Sequence, residues 1–226
     1  MKILIFGNGV MANIVKDCVK EPNIYVDMVN PLENIAVNSD FDVIIDFSHH
    51  SATKKLLEFA KEKNKPVLIA TTGHTIEEEK MIEEYSKYIY IIKATNTSLG
   101  VFSLNKLVQL ATTLLSGYDI EIVEAHHNRK IDAPSGTAKT IAKNIQNVKK
   151  DLDIITNRTA KRENNEIGIH SVRAGNIVGE HKIIFAGEDE VIEIKHTAFS
   201  RKIFAIGAIK LAEKLNEKSS GLYIYE

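Results

Sequence analysis

The 226-residue chain has a single cysteine, Cys18, so no intramolecular disulfide can form and nothing calls for an oxidising compartment. Net charge is also scarce. A balance of −1 at neutral pH argues against a general nucleic-acid coat, which carries a strongly basic excess. No apolar run approaches the roughly 20 residues needed to span a bilayer, and the first residues read straight into a strand rather than a secretory signal. Internal repeats and low-complexity segments are missing. His49, His50, His170, His181 and His196 are scattered without tight ligand spacing, so they read as structural or surface groups and no metal site is expected. What remains is ordinary: 44% apolar and 26% charged residues, enough length to bury a core as one large or two small domains. The expectation is a soluble cytoplasmic protein with neither a nucleic-acid nor a membrane partner.

Short apolar runs at residues 2–6, 24–29, 42–47, 66–70 and 89–92 are spaced by helix-like stretches to about residue 19 and at 51–63 and 75–87. Thr75-x-x-Glu78 reads as a capping box that opens the last of these helices. Such alternation predicts a parallel sheet covered on both faces. After Asn96-Thr97-Ser98 the pattern changes. Residues 99–115 read as a longer helix with Leu104, Leu107, Ala111 and Leu114 on its apolar stripe and Gly117 as its stop. A strand at 118–126, a helix at 135–147 and a polar irregular connection at 148–166 follow. Strands at 167–173, 177–185 and 190–199 then precede a closing helix at 203–215. In the last strand Ile192, Ile194 and His196 share one face, with Val191, Glu193 and Lys195 on the other. The expected fold is α/β: a Rossmann-type nucleotide-binding domain (residues 1–98 plus 201–226) and a second, α+β domain (residues 99–200).

Gly7-x-Gly9-x-x-Ala12 follows a strand and opens a helix, which fits the relaxed dinucleotide fingerprint. Gly7 permits the tight turn, Gly9 lets backbone N–H groups approach a pyrophosphate, and Ala12 is small enough for close helix–strand packing. The helix N-terminus favours the anion. The plainer alternative is a turn that serves chain geometry only. An acidic residue is expected roughly 20 residues further on to bind the adenosine ribose, but the chain offers Val29-Asn30-Pro31 there. Asp27 lies inside the strand, with its side chain expected to point elsewhere. A bound nicotinamide dinucleotide is expected, with NADH and NADPH both open.

Residues 121–138 concentrate two histidines, cations, carboxylates and a Pro-Ser-Gly-Thr turn. With period two, Ile120, Ile122, Glu124 and His126 share one strand face, and His126 sits at the end, where its side chain can leave the sheet for a cleft. Lys130 follows in a short loop. Ser135-Gly136-Thr137 brings hydroxyls and N–H groups to a new helix N-terminus, which attracts carboxylate or phosphate. A charge-assisted hydrogen bond contributes about 1.5–3 kcal/mol, so a few around one carboxylate account for micromolar to millimolar binding. Each residue has a bland reading. His126 could be structural, Ser135 only an N-cap, Arg129 and Lys130 surface charges, and Glu124 and Asp132 partners of those cations. Their concentration beside a helix start favours a site that holds an anionic substrate and delivers a proton to it.

Glu124 to Ala138, Glu-Ala-His-His-x-x-Lys-x-Asp-Ala-Pro-Ser-Gly-Thr-Ala, resembles the signature of the 4-hydroxy-tetrahydrodipicolinate reductase (dihydrodipicolinate reductase) family of the diaminopimelate–lysine pathway. Asp46-Phe47-Ser48, Ala70-Thr71-Thr72-Gly73 and Asn96-Thr97-Ser98-Leu99-Gly100-Val101 are similar to family stretches as well. So are Ile169 to Arg173, Val178 to His181, and Gly207-Ala208. The resemblance implies His126 as acid/base residue and Lys130 as proton donor. It implies His127, Ser135, Gly136 and Thr137 around the substrate carboxylates. It implies NADH or NADPH against Gly7, Asn8, Gly9, Val10, Met11, Ala12, Asn30, Ala70, Thr71, Thr72, Ala94, Thr95, Asn96 and Thr97. The implied substrate is a cyclic imine dicarboxylate, reduced with loss of water. The implied assembly is a homotetramer, with the second domain serving substrate binding and oligomerisation. Val10 stands where many members carry arginine, Asn30 where others carry an acid, and Ala70 and Ala174 replace glycines.

Two rival readings use the same residues. The first is another oxidoreductase on this architecture, acting on a semialdehyde or sugar; the Pro134-to-Thr137 turn and the absence of a thiol nucleophile in the stretch argue against the semialdehyde version. A non-catalytic nucleotide sensor is disfavoured by the presence of His126, Lys130, Gly136 and Thr137 together.

Overall fold

The computed structural model describes all residues except 34, 36, 38, 157, 218, 219 and 226, with backbone only for 216 and 217. The chain forms two compact units, Met1–Leu99 with Arg201–Glu226, and Gly100–Ser200. It runs through β1 (Lys2–Phe6), α1 (Val10–Cys18), β2 (Ile24–Val29), β3 (Val43–Asp46), α2 (Thr53–Lys63), β4 (Val67–Ile69), α3 (Ile76–Tyr85) and β5 (Tyr90–Ala94). It continues with α4 (Leu99–Leu114), β6 (Asp119–His126), α5 (Gly136–Val148), β7 (Asp153–Thr156), β8 (Glu166–Arg173), β9 (Gly179–Ala186) and β10 (Val191–Ala198). It returns to the first unit with α6 (Lys202–Glu213) and β11 (Gly221–Tyr225).

The first unit holds a parallel sheet in the order β2-β1-β3-β4-β5-β11. Its central strands are continuous apolar runs because both faces are covered: Ile3 to Phe6, Val43 to Ile45 and Val67 to Ile69 are fully buried. The strand order reverses direction between β1 and β3, and in open α/β sheets the crevice beyond the carboxyl ends at that point is where ligands bind. The capping box of α3 is formed: Thr75 Oγ1 accepts from the Glu78 amide at 3.2 Å and Glu78 Oε2 accepts from the Thr75 amide at 2.7 Å.

The second unit is a mixed sheet in the order β10-β9-β6-β8-β7, with β6 parallel to β8 and antiparallel to β9. Its register sorts one face into rows. Ile192, Phe185, Ile120 and Ile167 align across four strands, followed by Ile194, Ile183, Ile122 and Ile169. These apolar rows form a core with Leu104, Val108, Ile141 and Ile145 of α4 and α5. Burial of each such side chain contributes about 1.5–3 kcal/mol. The next row is His196, His181, Glu124 and Ser171, and beyond it lies the His126–Arg173 pair. One face thus passes from hydrocarbon to chemistry within two residues of the same strand.

Three expectations need correction. The connection at 148–166 contains a strand, β7, and the chain ends on another, β11. Both are short edge strands whose residues are mostly exposed, so neither leaves a buried apolar run in the sequence. The apolar stripe of α4 is also set differently: Leu107 and Leu114 are exposed, and the buried side is Val101, Leu104, Asn105, Val108 and Thr112. The helix is apolar around much of its circumference, so periodicity alone did not choose which face packs.

In α6 a Cβ on Gly207 would lie 1.8 Å from the Thr97 carbonyl oxygen, and Thr97 Oγ1 donates to the Phe204 carbonyl at 2.7 Å. Backbone meets backbone there, so Gly207→Ala forces a shift of the helix. We expect a loss of about 1–3 kcal/mol, read as a lower Tm in thermal melts. At the end of β3, Asp46 is buried, and burial pushes its carboxyl up to about 6 despite hydrogen bonds from Ser48 and Thr71. A carboxyl raised on folding destabilises the folded state as pH rises from the ordinary 3.8 through 6. Asp46→Asn is therefore expected to melt above the unsubstituted protein at pH 7, with the gap closing toward pH 4.

Candidate active site

The glycine turn lies in the first unit at the β1/β3 reversal. Gly7 has φ +126°, and a Cβ there would sit 2.4 Å from the Phe47 carbonyl oxygen, so only glycine fits. A Cβ on Gly9 would meet nothing within 4 Å, leaving open space in front of the helix. The N-terminus of α1 has no side-chain cap and no acidic residue in its first turn, so its N–H groups face that space with their positive partial charge uncancelled. Gly7, Asn8, Gly9, Asn30, Leu32, Ser48 and neighbours line a pocket of about 250 Å³. Asn30 Nδ2 donates to Glu33 Oε1 at 2.7 Å, and Lys55 Nζ donates to the Pro31 carbonyl at 2.8 Å, tying the turn after β2 to α2. Asp27 is exposed and accepts from the Met28 amide at 2.7 Å.

The other cofactor candidates follow the carboxyl ends of β4 and β5. Ala70, Thr71 and Thr72 come after β4, and Ala94, Thr95, Asn96 and Thr97 close β5. Parallel pairing brings these ends to the same sheet edge as Gly7. Val10 is exposed at the first position of α1, with Met11 half-buried beside it. Ala12, Ala94 and Thr97 are buried, and the Thr71 hydroxyl accepts from the Ser48 amide at 3.0 Å, so these four also help to pack the edge.

In the second unit the sheet's polar rows build a connected cluster. Glu124 is 0% exposed. Its Oε2 accepts from His126 Nδ1 at 2.6 Å and from Arg173 Nη1 at 2.8 Å, and its Oε1 accepts from Arg173 Nη2 at 2.6 Å and the Ser135 amide at 3.1 Å. Burial alone would raise this carboxyl. Hydrogen bonds from Arg173, Ser171, His126 and the Ser135 amide outweigh it and hold the group at about 2. Removing one partner from a buried pair of this kind costs about 3–5 kcal/mol.

His181 packs edge-on to His126 with ring centroids 5.3 Å apart, and its Nε2 lies 3.1 Å from Ser135 Oγ. Burial, and then the neighbouring His126, push it down to about 4, so it is neutral near pH 7 and shares a hydrogen bond with the Ser135 hydroxyl. Ser135 Oγ in turn accepts from the Ala138 amide at 3.2 Å, which makes Ser135 the N-cap of α5. Gly136 and Thr137 form the first turn, where no acidic residue opposes an anion, and a Cβ on Gly136 would meet nothing within 4 Å. In the loop between β6 and α5, His127 is half-buried and Lys130 Nζ lies 2.7 Å from Asp132 Oδ1. Arg173 Nη2 also donates to the Asp132 carbonyl at 2.7 Å, which fixes the far end of that loop.

The structure thus gathers His126, Ser135 and the start of α5 around one carboxylate and puts Lys130 in the loop between them. It adds Arg173 and His181, which the sequence reading left outside the site. The period-two face predicted for Glu124 and His126 was the available signal. What it lacked was the pairing of Arg173 with His126 and of His181 with Glu124 across neighbouring strands. Among the described residues, no group of three or more His, Cys, Asp or Glu side chains is arranged to hold a metal ion, and no helix is long and apolar enough to cross a membrane.

The family model described as "Dihydrodipicolinate reductase, N-terminus" matches residues 8–97, and "Dihydrodipicolinate reductase, C-terminus" matches 100–226. A 4-hydroxy-tetrahydrodipicolinate reductase of Clostridium tetani is 42% identical, over 99% of this chain and 94% of the relative. A protein of the same name from Exiguobacterium sp. is 44% identical, over 99% and 93%. Among solved structures, a dipicolinate-bound dihydrodipicolinate reductase from Paenisporosarcina sp. TG-14 aligns with TM-score 0.82 at 22% identity, covering 99% of this chain and 97% of that one, a likeness of fold. With both halves matched and near-complete relatives above 40% identity, the chain belongs to the dihydrodipicolinate reductase family.

Proposed function

We propose that the protein reduces 4-hydroxy-tetrahydrodipicolinate to 2,3,4,5-tetrahydrodipicolinate with loss of water, using NADH or NADPH, in the diaminopimelate route to lysine. The observation that carries this reading is the join of His126, through buried Glu124, to the helix start at Ser135. This join supports the reading because reduction of an anionic imine would need a proton-handling group and an anion-binding helix end held on one frame. Residues 1–98 with 201–226 would serve as the dinucleotide domain and 99–200 as the substrate and oligomerisation domain.

The first unit suits a dinucleotide on its own geometry. The uncapped start of α1, the open space at Gly9 and the close approach at Gly7 form a cradle for a pyrophosphate. Gly7 to Ala12, Asn30, Ala70 to Thr72 and Ala94 to Thr97 would hold it. When bound, the dinucleotide supplies the hydride. The chain's own residues must then hold two carboxylates and deliver a proton to the electron-rich carbon left by hydride addition. The N–H groups of Gly136 and Thr137, with the Thr137 hydroxyl, Ser135 and His127, would hold a carboxylate. His126 and Lys130 would handle the proton, in roles suited to an imidazole and an ammonium.

We further infer a cytoplasmic homotetramer assembled through the second sheet. Val172 and Val191 are exposed on the sheet face opposite Glu124, where a second copy could cover them. A tetramer mass in sedimentation velocity would support this assembly, and a monomer at micromolar concentration would refute it.

His126→Gln and Lys130→Cys, made separately, are each expected to lower kcat by about 10²–10⁴-fold while NADH still binds. Turnover is followed as nicotinamide oxidation and binding by fluorescence titration. Unchanged turnover in both variants would remove the assigned roles. Pyridine-2,6-dicarboxylate, a planar mimic of the substrate, is expected to inhibit competitively, and Thr137→Val to weaken that inhibition about tenfold, the effect of losing one hydrogen bond. Equal inhibition constants would exclude the Thr137 hydroxyl from the carboxylate site.

A further inference from the structure

Resting on the reading that His126 handles the proton of the reduction, we propose that Glu124, clamped by Arg173, is the positioning residue that sets the tautomer of His126 and aligns the segments around it. Glu124 stands two residues before His126 on the same face of β6, and its Oε2 lies 2.6 Å from His126 Nδ1. An ionised carboxylate only accepts hydrogen bonds. Arg173 binds both oxygens in a fork, the geometry that keeps a carboxylate ionised and oriented. Nδ1 therefore carries the hydrogen, and Nε2 is left to exchange protons with a reactant. A Cβ on Gly179 would come within 3.2 Å of Nε2, so the glycine there keeps the space beside that nitrogen open.

The same contacts reach further than one ring. Glu124 also accepts from the amide of Ser135, the N-cap of α5, and Arg173 also donates to the Asp132 carbonyl. One carboxylate thus links the end of β6, the end of β8, the loop that carries Lys130 and the helix start proposed for the substrate carboxylate. The charged and titratable groups around His126 are Glu124 on its own strand, Arg173 on β8, His181 on β9, His196 on β10, and Lys130 and Asp132 in the loop. His181 is neutral near pH 7 and adds no charge against an imidazolium. Glu124 is wholly buried, so its role is to hold His126 rather than to meet the reactant.

The first measurement is made on the unsubstituted protein, labelled with 15N at histidine, with two-bond nitrogen–proton correlations recorded at alkaline pH, where free imidazole is neutral. The expected pattern is Nδ1–H with Nε2 unprotonated, against the Nε2–H preference of free histidine in water. An Nε2–H pattern overturns the proposal. The second is Glu124→Gln, expected to reduce kcat about 10²–10⁴-fold, the upper figure being that of a catalytic histidine whose orienting carboxylate is replaced by its amide. NADH affinity is expected to stay within about threefold, because the residues proposed for the dinucleotide belong to the first unit.

Glu124→Asp should recover at least tenfold of the loss. Turnover within twofold of the unsubstituted protein in Glu124→Gln overturns the proposal. If Glu124→Gln does not fold, the tautomer of the unsubstituted protein decides alone. Failure of the unsubstituted protein to reduce the cyclic imine would defeat the functional reading, while the tautomer pattern would still be measured independently.

Discussion

A carboxylate with no exposed surface stays ionised only where donors match it; short of that it is pushed toward taking up a proton, as Asp46 is. Glu124 meets this condition by drawing a guanidinium, an imidazole and a backbone amide from separate parts of the chain. Each partner is held in consequence. Arg173 is fixed at the end of β8, His126 at the end of β6, and the helix α5 is fixed where it begins. The site's geometry is thus part of the stability of the second unit. A substitution that loosens the one must loosen the other.

The mixed topology of the second sheet makes this arrangement possible. Because β8 runs parallel to β6, both strands bring their last residues to the same edge, and Arg173 pairs beside His126. Because β9 runs antiparallel, it contributes its first residues, and His181 falls opposite Glu124. A fully parallel sheet would need a crossover for every neighbouring pair. The register also lets one face serve two purposes. Its Ile and Phe rows are sealed by α4 and α5, which anchors the strands, and the following polar rows inherit that rigidity without needing a loop to hold them. Sites on such elements are held more tightly than sites on loops.

Much of this was legible in residue order. Period two placed Glu124 and His126 on the face of Ile120 and Ile122, and an N-cap was one of the readings open for Ser135. The spacing of Gly7 and Gly9 after a strand predicted the turn. These are local properties, set within a few residues. Arg173 and His181 lie 49 and 57 positions from Glu124, and only strand order and register bring them beside it. β7 and β11 were missed for a different reason: Ile154-Ile155-Thr156 and Leu222 to Tyr225 carry strand-forming residues, but the runs are short and mostly exposed, without the burial pattern of the central strands. The face of α4 was ambiguous because Leu107, Leu110 and Leu114 form a second apolar stripe that the unit does not bury.

The departures at Val10 and Asn30 have a physical setting unlike that of the cluster around Glu124. Val10 is exposed on the first turn of α1, and Asn30 bonds to Glu33 in a solvent-facing turn. A side chain can change there with little effect on packing, since surface changes away from such features are usually worth within about 0.5 kcal/mol. Changing Arg173 instead leaves a buried charge unpaired. The two ends of the proposed reaction are therefore under different constraints. The part that would handle the proton is tied to the core, whereas the part that would select the coenzyme lies where residues exchange freely. Coenzyme preference can thus shift while the proton-handling frame stays in place.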